Sequence, residues 1–449
     1  MGCAQGKAKK GTIMMQASSD MLCVYNRDAT ILIKSSKTPG RSEEVHFKLS
    51  DPVLFSSLRV QIASYDLWIS KCVLPGLDPR DPSKRACQDY CVFTNDETST
   101  LLGVFDGHGA YGKEVAKLCS ETVENFLPEN KEFSQTDPKG FLIALTEKCT
   151  EELRKNENTV DSKFSGCTAV FVLLAGDSIH SASVGDSRAV LGTSSPPSVM
   201  PAPTTQIREE ERKLLEKVKK RRQSNPMLEV QAVQLSKDQK PEDPEELERI
   251  TQNGGRVQRI TDALGNQVGP YRVWEPDLKA PGLTMSRSIG DKGAASLGII
   301  STPVYTKHKV HPYADFFVVA GTDGIWDAMD NQDVVNYVEC YRDKCKRGCG
   351  SPPIGDQITI HNTCIAQLLC EEVRVRWLTI VEEEDVTIDD ISCIVLELQP
   401  TILPSSGHAK RPIPNEYDPI RSIGETANQQ APTNPVRDPR RGSIVLSGS

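Results

Sequence analysis

Leu101-Leu102-Gly103-Val104-Phe105-Asp106-Gly107-His108-Gly109-Ala110-Tyr111-Gly112 is the stretch on which the reading of this chain turns. An apolar run of strand character ends in a carboxylate, and two glycines then bracket an imidazole. A helical pattern follows, with Val115, Ala116, Leu118, Cys119, Val123 and Phe126 on one face. An acid and a histidine are thereby offered at the open end of a strand, where glycine lets backbone and ligand come close. A single Asp-Gly-His-Gly is also what an ordinary strand-to-helix turn looks like. Its weight depends on whether other carboxylates are delivered to the same place.

Other strand-like runs end the same way. Ile179–Val184 leads into Gly185-Asp186-Ser187-Arg188, and the run to Ala320 leads into Gly321-Thr322-Asp323-Gly324-Ile325-Trp326-Asp327. Thr387-Ile388-Asp389-Asp390 opens the run Ile391–Leu398, and Gln88-Asp89 precedes Cys91-Val92-Phe93. Five strand boundaries thus carry an aspartate, and each alone is most often a turn residue. Together, with no Cys/His ligand set beside them, they point to a hard-cation site. Oxygen ligands select Mg2+ or Mn2+ over Zn2+, and clustered carboxylates tolerate one another when cations neutralise them.

The composition fits that chemistry. The 449 residues are 38% hydrophobic and 25% charged, with a formal net charge of -8. That describes a soluble globular protein with polar flanks and not the basic surface of a general nucleic-acid binder, so no nucleic-acid partner is expected. No apolar stretch has the length of a bilayer span. Met1-Gly2-Cys3-Ala4-Gln5-Gly6-Lys7 is not followed by the apolar core of a secretory signal. Fourteen cysteines in this length is not disulfide-scaffold density; those in apolar runs (Cys167, Cys370, Cys393) read as reduced core residues of a cytoplasmic protein. Gly2, Cys3 and the nearby Lys7, Lys9 and Lys10 match two acylation sites and a basic cluster, the combination that stable peripheral membrane anchoring needs. Gly6 stands where the usual myristoylation motif has Ser or Thr.

Residues up to about 50 are mixed, with strand-like runs at Met21–Tyr25 and Thr30–Lys34. Folded-domain text begins near Val60. Strands are expected at Cys91–Phe93, Leu101–Phe105, Cys167–Leu174, Ile179–Val184, Arg188–Gly192, Ala314–Ala320 and Ile391–Leu398. Helices are expected at Phe141–Leu153, Glu245–Gln252, Gln332–Tyr341 and Thr363–Trp377. Residues 193–229 interrupt the pattern as a Ser/Pro/Thr-rich surface insertion with one helix, Gln206–Gln223, whose acids come first and bases last. Beyond Pro400 the chain is poor in large apolar residues and is expected to be disordered. The division is an N-terminal extension (1–58), a folded domain carrying the insertion (59–398) and a tail (399–449). Strands without regular βαβ alternation indicate α+β, with sheet on sheet and helices outside.

Seven motifs occur in an order that resembles the metal-dependent type 2C protein serine/threonine phosphatases. They are Asp106-Gly107-His108-Gly109, Ser165-Gly166-Cys167-Thr168-Ala169, Gly185-Asp186-Ser187-Arg188, Asn253-Gly254-Gly255-Arg256-Val257, Met285-Ser286-Arg287-Ser288-Ile289-Gly290-Asp291, Asp323-Gly324-Ile325-Trp326-Asp327 and Asp389-Asp390-Ile391-Ser392. The resemblance covers about residues 60–398 without the insertion. It implies a central antiparallel β-sandwich flanked by helices, a four-layer αββα arrangement with a two-metal site at one end. It further implies that Asp106 bridges two Mg2+ or Mn2+ ions, with the Gly107 carbonyl, Asp323 and Asp389 completing the shell. Asp89 would act on metal-bound water, and Asp186 with Asp323 would suit a weaker third ion near Asp291. Water held between cations would attack phosphorus in line, and His108 would protonate the leaving serine or threonine oxygen. The implied partners are phosphoprotein substrates, with the enzyme a monomer.

Two positions depart from the common family pattern. Lys84, followed by Arg85, stands where many members carry an arginine that grips the substrate phosphate, and a lysine lacks the bidentate fork. Gln88 stands where many have Glu; it can accept a hydrogen bond from metal-bound water but adds no charge. Other histidines (His46, His180, His308, His311, His361, His408) are scattered and read as core or surface residues, and Cys340, Cys345 and Cys349 match no common zinc spacing. The rival functions are a pseudophosphatase acting as a binding module, disfavoured by the presence of Asp106, Asp323 and Asp389, and a two-metal hydrolase of small phosphoesters.

Overall fold

A computed structural model describes residues 12–17, 21–26, 30–35, 42–46, 54–62, 65–77, 86–194, 230–277, 280–312, 314–347, 364–380 and 388–400. The chain separates into two units, Met1–Ile402 and Leu403–Ser449, the second wholly outside those residues. The first strands are β1 (Thr12–Ala17), β2 (Met21–Asn26), β3 (Thr30–Ser35), β4 (Ser42–His46), β5 (Leu54–Ile62) and β6 (Tyr65–Leu74). Next come β7 (Tyr90–Asn95), β8 (Ser99–Phe105), β9 (Gly107–His108), β10 (Gly166–Cys167), β11 (Ala169–Ala175), β12 (Ser178–Val184) and β13 (Arg188–Thr193). They are followed by β14 (Gln231–Gln234), β15 (Arg256–Thr261), β16 (Gln267–Trp274), β17 (Pro281–Leu283) and β18 (Ile289–Gly290). The last are β19 (Val304–Lys309), β20 (Asp315–Gly321) and β21 (Ile391–Pro400). The helices are α1 (Gly112–Glu129), α2 (Lys131–Thr136), α3 (Pro138–Lys155), α4 (Pro244–Gln252), α5 (Asp323–Trp326), α6 (Asn331–Arg347) and α7 (Ile365–Ile380).

Two antiparallel sheets make the body, one ordered β14-β13-β20-β21-β6-β5 and the other β19-β12-β11-β8-β7. Their central strands are apolar at successive positions because both of their faces are covered. In β11, Val170, Val172 and Leu174 join the cluster between the sheets, whereas Phe171 and Leu173 join the one beneath α1 and α3. In β20, Val318 and Ala320 face the inter-sheet core, while Phe317 and Val319 pack with Val334, Val338, Leu369 and Val373 of α6 and α7. A strand's period of two sorts each run into these layers. Each fully buried Leu, Val or Phe contributes about 1.5–3 kcal/mol, so these runs dominate the choice of fold. The expected four-layer αββα arrangement is what forms.

Local signals explain most element ends. Asp137 caps α3 by accepting a hydrogen bond from Gly140 N at 2.9 Å, with Pro138 in the first turn. Helix α4 stops at Asn253-Gly254, where Gly254 takes φ +81°. Strands β13 and β14 pair antiparallel, with Thr193 opposite Gln231. The helix expected at 206–223, the tail beyond Pro400, Gly2 and Cys3, Lys84 and Arg85, and Cys349 all lie outside the described residues. The hairpin of β15 and β16 was not foreseen: Ile260, Val268 and Tyr271 are exposed on it, so it carries no alternating pattern. Among the described residues no helix is long and apolar enough to cross a membrane.

Candidate functional site

Three short strands assemble the corner that carries the histidine. Strand β10 pairs with β9 on one side (Gly166↔His108) and with β18 on the other (Gly166↔Gly290). Segments far apart in sequence, Asp106–Gly109, Ser165–Ala169 and Met285–Asp291, are thereby brought side by side. Asp291 follows β18 with φ 45°, the one non-glycine residue at positive φ among the described residues. Aspartate tolerates that left-handed conformation better than most residues, and here it aims the carboxylate at His108. The Nε2–Oδ2 distance is 2.6 Å. Burial disfavours the charged ring, but the Asp291 carboxylate, its hydrogen bond and the charge of Asp186 outweigh that and raise the His108 pKa. With Nε2 committed to Asp291, the buried Nδ1 has no protein partner and is the nitrogen left to serve a ligand.

The aspartates lie at strand ends on one end of the sandwich. Asp106 follows β8, and its backbone is tied to Thr168: Thr168 N–H donates to Asp106 O at 2.9 Å, and Thr168 Oγ1 lies 2.6 Å from Ser187 Oγ. Asp89 precedes β7 and accepts a hydrogen bond from Thr322 Oγ1 at 2.9 Å, while Ser392 N donates to the same hydroxyl at 3.2 Å. Asp323 opens α5, and Asp389 accepts from Asp390 N at 2.9 Å. Burial, then the charge of neighbouring aspartates, pushes the carboxyls of Asp89, Asp106 and Asp323 well above the usual range; for Asp89 those neighbours are Asp390 and Asp389. Asp106 is destabilised by Asp89, Asp389 and Asp186, and Asp323 by Asp106, Asp186 and Asp389, so the five acids share one field. Buried oxygens of Asp89, Asp186 and Asp323 have no hydrogen-bond partner. Orphaned carboxylate oxygens in mutual repulsion suit hard cations. Among the described residues no three such side chains already stand in closed ligating geometry.

One functional group escaped the sequence entirely. Lys240 Nζ lies 2.5 Å from Asp186 Oδ2, and burial of the ammonium is overridden by Asp186, Asp323 and Asp327, which hold it protonated. The loop that presents it is anchored on both sides. Arg188 grips Asp238 through Nε (3.0 Å to Oδ1) and its terminal nitrogen (2.6 Å to Oδ2), and Gly185 N–H donates to Gln239 Oε1 at 2.7 Å. The position expected to suit a weak third ion therefore already faces a fixed positive charge. Gln88 is tied in by two donors: its amide nitrogen donates to Gly109 O at 2.8 Å, and its backbone N–H donates to Asp390 Oδ2 at 2.8 Å. Glu246 is a second residue not singled out. It receives Arg249 and Arg287, each at 2.6 Å, and Ser286 Oγ, which braces α4 against the segment leading to Asp291.

Comparison with known proteins agrees with this fold. The family model described as protein phosphatase 2C matches residues 82–353. The chain is 34% identical over 271 residues to probable protein phosphatase 2C 48 of Oryza sativa subsp. japonica, covering 56% of this chain and 68% of that one. It is 30% identical over 321 residues to probable protein phosphatase 2C 35 of Arabidopsis thaliana, covering 68% and 82%. Among solved structures, the serine-threonine phosphatase 2C from Toxoplasma gondii superposes with a TM-score of 0.53 at 16% identity, covering 78% of this chain and 99% of that one. That last likeness concerns the fold.

Proposed function

The chain belongs to the protein phosphatase 2C family, and from that premise we propose that it removes phosphate from phosphoserine and phosphothreonine of proteins by a two-metal route. Asp106, the Gly107 carbonyl, Asp323 and Asp389 would hold the Mg2+ or Mn2+ ions, with Asp186 and Asp291 bordering a weaker site. When bound, such ions neutralise the acids, draw charge from the phosphoryl oxygens and lower the pKa of water near neutrality. The observation that carries this reading is the set of buried carboxyls, Asp89, Asp106 and Asp323, each raised by burial and by its acidic neighbours, with oxygens of Asp89 and Asp323 left unpartnered.

The chain's own residues then divide the work. Asp89, which accepts a hydrogen bond from Thr322 Oγ1, would accept a proton from attacking water. His108, held by Asp291 through Nε2, offers Nδ1–H to the departing alkoxide in its charged form. Lys84 and Arg85, which lie outside the described residues, would grip the substrate phosphate. Gly2 and Cys3, also outside them, would carry acyl chains that attach the enzyme to a membrane surface.

The deciding experiment assays purified protein on a phosphothreonine peptide with Mn2+, then with EDTA, then as Asp323→Asn. Activity should require the metal and fall more than about 100-fold in the variant, beyond the loss typical of residues that merely support a ligand. Metal-independent turnover, or full activity in Asp323→Asn, would remove the two-metal reading. Equal turnover of small phosphoesters and peptide would favour the rival substrate class.

A further inference from the structure

Helix α7 touches both acidic turns of the site from outside. It begins at Ile365, beyond the residues 82–353 that the family model matches. Its apolar face packs with Ile325, Trp326, Ile388 and Ile391, which flank Asp323 and Asp389-Asp390 in sequence. Two polar side chains go further. Trp377 Nε1–H donates to Gly324 O at 2.6 Å, in the turn that begins with Asp323. From the other side the same turn is pressed against Asp390: a Cβ on Gly324 would stand 2.0 Å from Asp390 O. The Asp323 turn is thus clamped between the indole of α7 and the Asp389-Asp390 backbone.

The second contact reaches Asp389 through a relay. Arg374, among the largest fully buried side chains, donates from its guanidinium to Pro75 O. The next residue, Gly76, donates its N–H to Asp390 Oδ1 at 2.5 Å, and Leu77 exchanges backbone hydrogen bonds of 2.9 and 2.8 Å with Ile388. Asp390 also takes Gln88 N–H on Oδ2 at 2.8 Å, one residue before Asp89, and gives its own N–H to Asp389 Oδ1 at 2.9 Å. A Cβ on Gly76 would come within 2.6 Å of Ile388 O and 2.8 Å of Asp389 C. Asp390 is a hub with both oxygens committed to backbone, and Arg374 holds the segment that fixes one of them.

We propose that α7 is a positioning element of the metal centre, in which Trp377 sets the Asp323 turn and Arg374, through Pro75, Gly76 and Asp390, sets Asp389. Each side chain acts through a backbone carbonyl, Gly324 O for Trp377 and Pro75 O for Arg374. Their effect is on how closely two ligands from different strands converge, and so on metal affinity before turnover. The proposal rests on Asp323 and Asp389 being ligands, and the experiment separates the two claims.

The test uses the full chain and calorimetric titration of Mn2+ into metal-free protein. Trp377→Phe removes the indole donor and keeps a ring; it should weaken Mn2+ binding about tenfold, within the range seen when a supporting partner of a metal ligand is lost. At saturating Mn2+ its kcat should return to within about twofold of the parent, the scatter expected between uncoupled sites. Tyr337→Phe is the control, since it removes a 3.2 Å hydrogen bond to Leu368 O elsewhere on α7; it should lower the unfolding temperature and leave Mn2+ affinity unchanged. Should Trp377→Phe not fold, Gly76→Ala strains the Asp389 arm directly and should show the same metal deficit. Unchanged Mn2+ affinity in the folded variant, or an equal loss in Tyr337→Phe, overturns the proposal. If Asp323→Asn also binds Mn2+ like the parent, the ligand assignment itself is what fails.

Discussion

Replacing Lys240 by methionine keeps the aliphatic stem and removes only the ammonium that Asp186 sees at 2.5 Å. The Asp186 side chain is 0% exposed and that of Lys240 is 31% exposed, so the acid cannot turn to water when its partner goes. Removing one member of a buried pair costs about 3–5 kcal/mol. Screening of the partly exposed ammonium brings that to about 2–3 kcal/mol here. A domain of this size shifts by about 2 °C per kcal/mol, so metal-free Lys240→Met should unfold about 4–6 °C below the parent. The sign of the metal effect is the sharper part. Lys240 also answers Asp323 and Asp327, and a divalent cation at Asp186 would take over that charge. Thermal unfolding followed by circular dichroism, in EDTA and then in excess Mn2+, should show the deficit shrinking as metal is added. Calorimetry should show Mn2+ binding more tightly at the Asp186 position, because no ammonium competes. A variant that unfolds with the parent in EDTA, or stays equally depressed with and without Mn2+, would refute this account.

Three further outcomes follow from individual groups. Burial works against the Glu246 charge, but hydrogen bonds from Arg287, Arg249 and Ser286 override it and hold the carboxyl at about 2, below its ordinary 4.5. A depressed carboxyl stabilises above its unfolded pKa and loses that as pH falls through the folded one. Glu246→Gln should therefore cost on the order of 3 kcal/mol near neutrality. In urea titrations the gap to the parent should close as pH drops from 4.5 toward 2, and a gap constant with pH would contradict the linkage. His108→Gln should lower kcat on a phosphothreonine peptide by about 10²–10⁴, the usual worth of general acid catalysis. On p-nitrophenyl phosphate, whose leaving group departs as a stable anion, the loss should be much smaller; equal losses would end the proton-donor role. Gly2→Ala should move the protein out of the membrane fraction, whereas unchanged fractionation would exclude acylation of Gly2 as the anchor.

The sequence made the acids visible and their supports invisible, for physical reasons. Asp106, Asp323 and Asp389 could be found because each borders a strand buried on both faces, and such runs stand out as unbroken apolar text. The sandwich followed from the same runs. Lys240 could not be found that way. Lys237-Asp238-Gln239-Lys240-Pro241 reads as a solvated loop, and only the grip of Arg188 on Asp238 and the Gly185–Gln239 contacts turn it inward. The partnership of His108 with Asp291 spans 183 residues and depends on β10 pairing with two strands at once. The direction of the Gln88 amide is set by a carbonyl within reach of its nitrogen, Gly109 O, which no sequence spacing announces. The hairpin of β15 and β16 is exposed along most of its length, so no burial pattern announces it.

The supports share a character that bears on how the site must behave. Asp89 is held by a threonine hydroxyl, Asp106 through Thr168 at its backbone, Asp390 by two backbone N–H groups and Asp389 by the N–H of Asp390, all neutral donors. Neutral hydrogen bonds orient a carboxylate and leave most of its charge unbalanced. Had the fold used arginines throughout, as it does around Glu246, the acids would be stable alone and cations would compete with covalently tethered charge. Asp89, Asp106 and Asp323 instead carry carboxyls raised by burial and by the acids around them. A raised carboxyl stabilises the fold while protonated, and that contribution is lost as pH rises through its folded pKa. In EDTA these three groups should therefore oppose stability toward neutral and alkaline pH, the reverse of Glu246. A cation bound only by the folded chain adds stability by mass action, and it acts most where the acids are ionised. The difference between the pH–stability curves in Mn2+ and in EDTA should widen as pH rises, and parallel curves would mean that these acids are not where the cation binds.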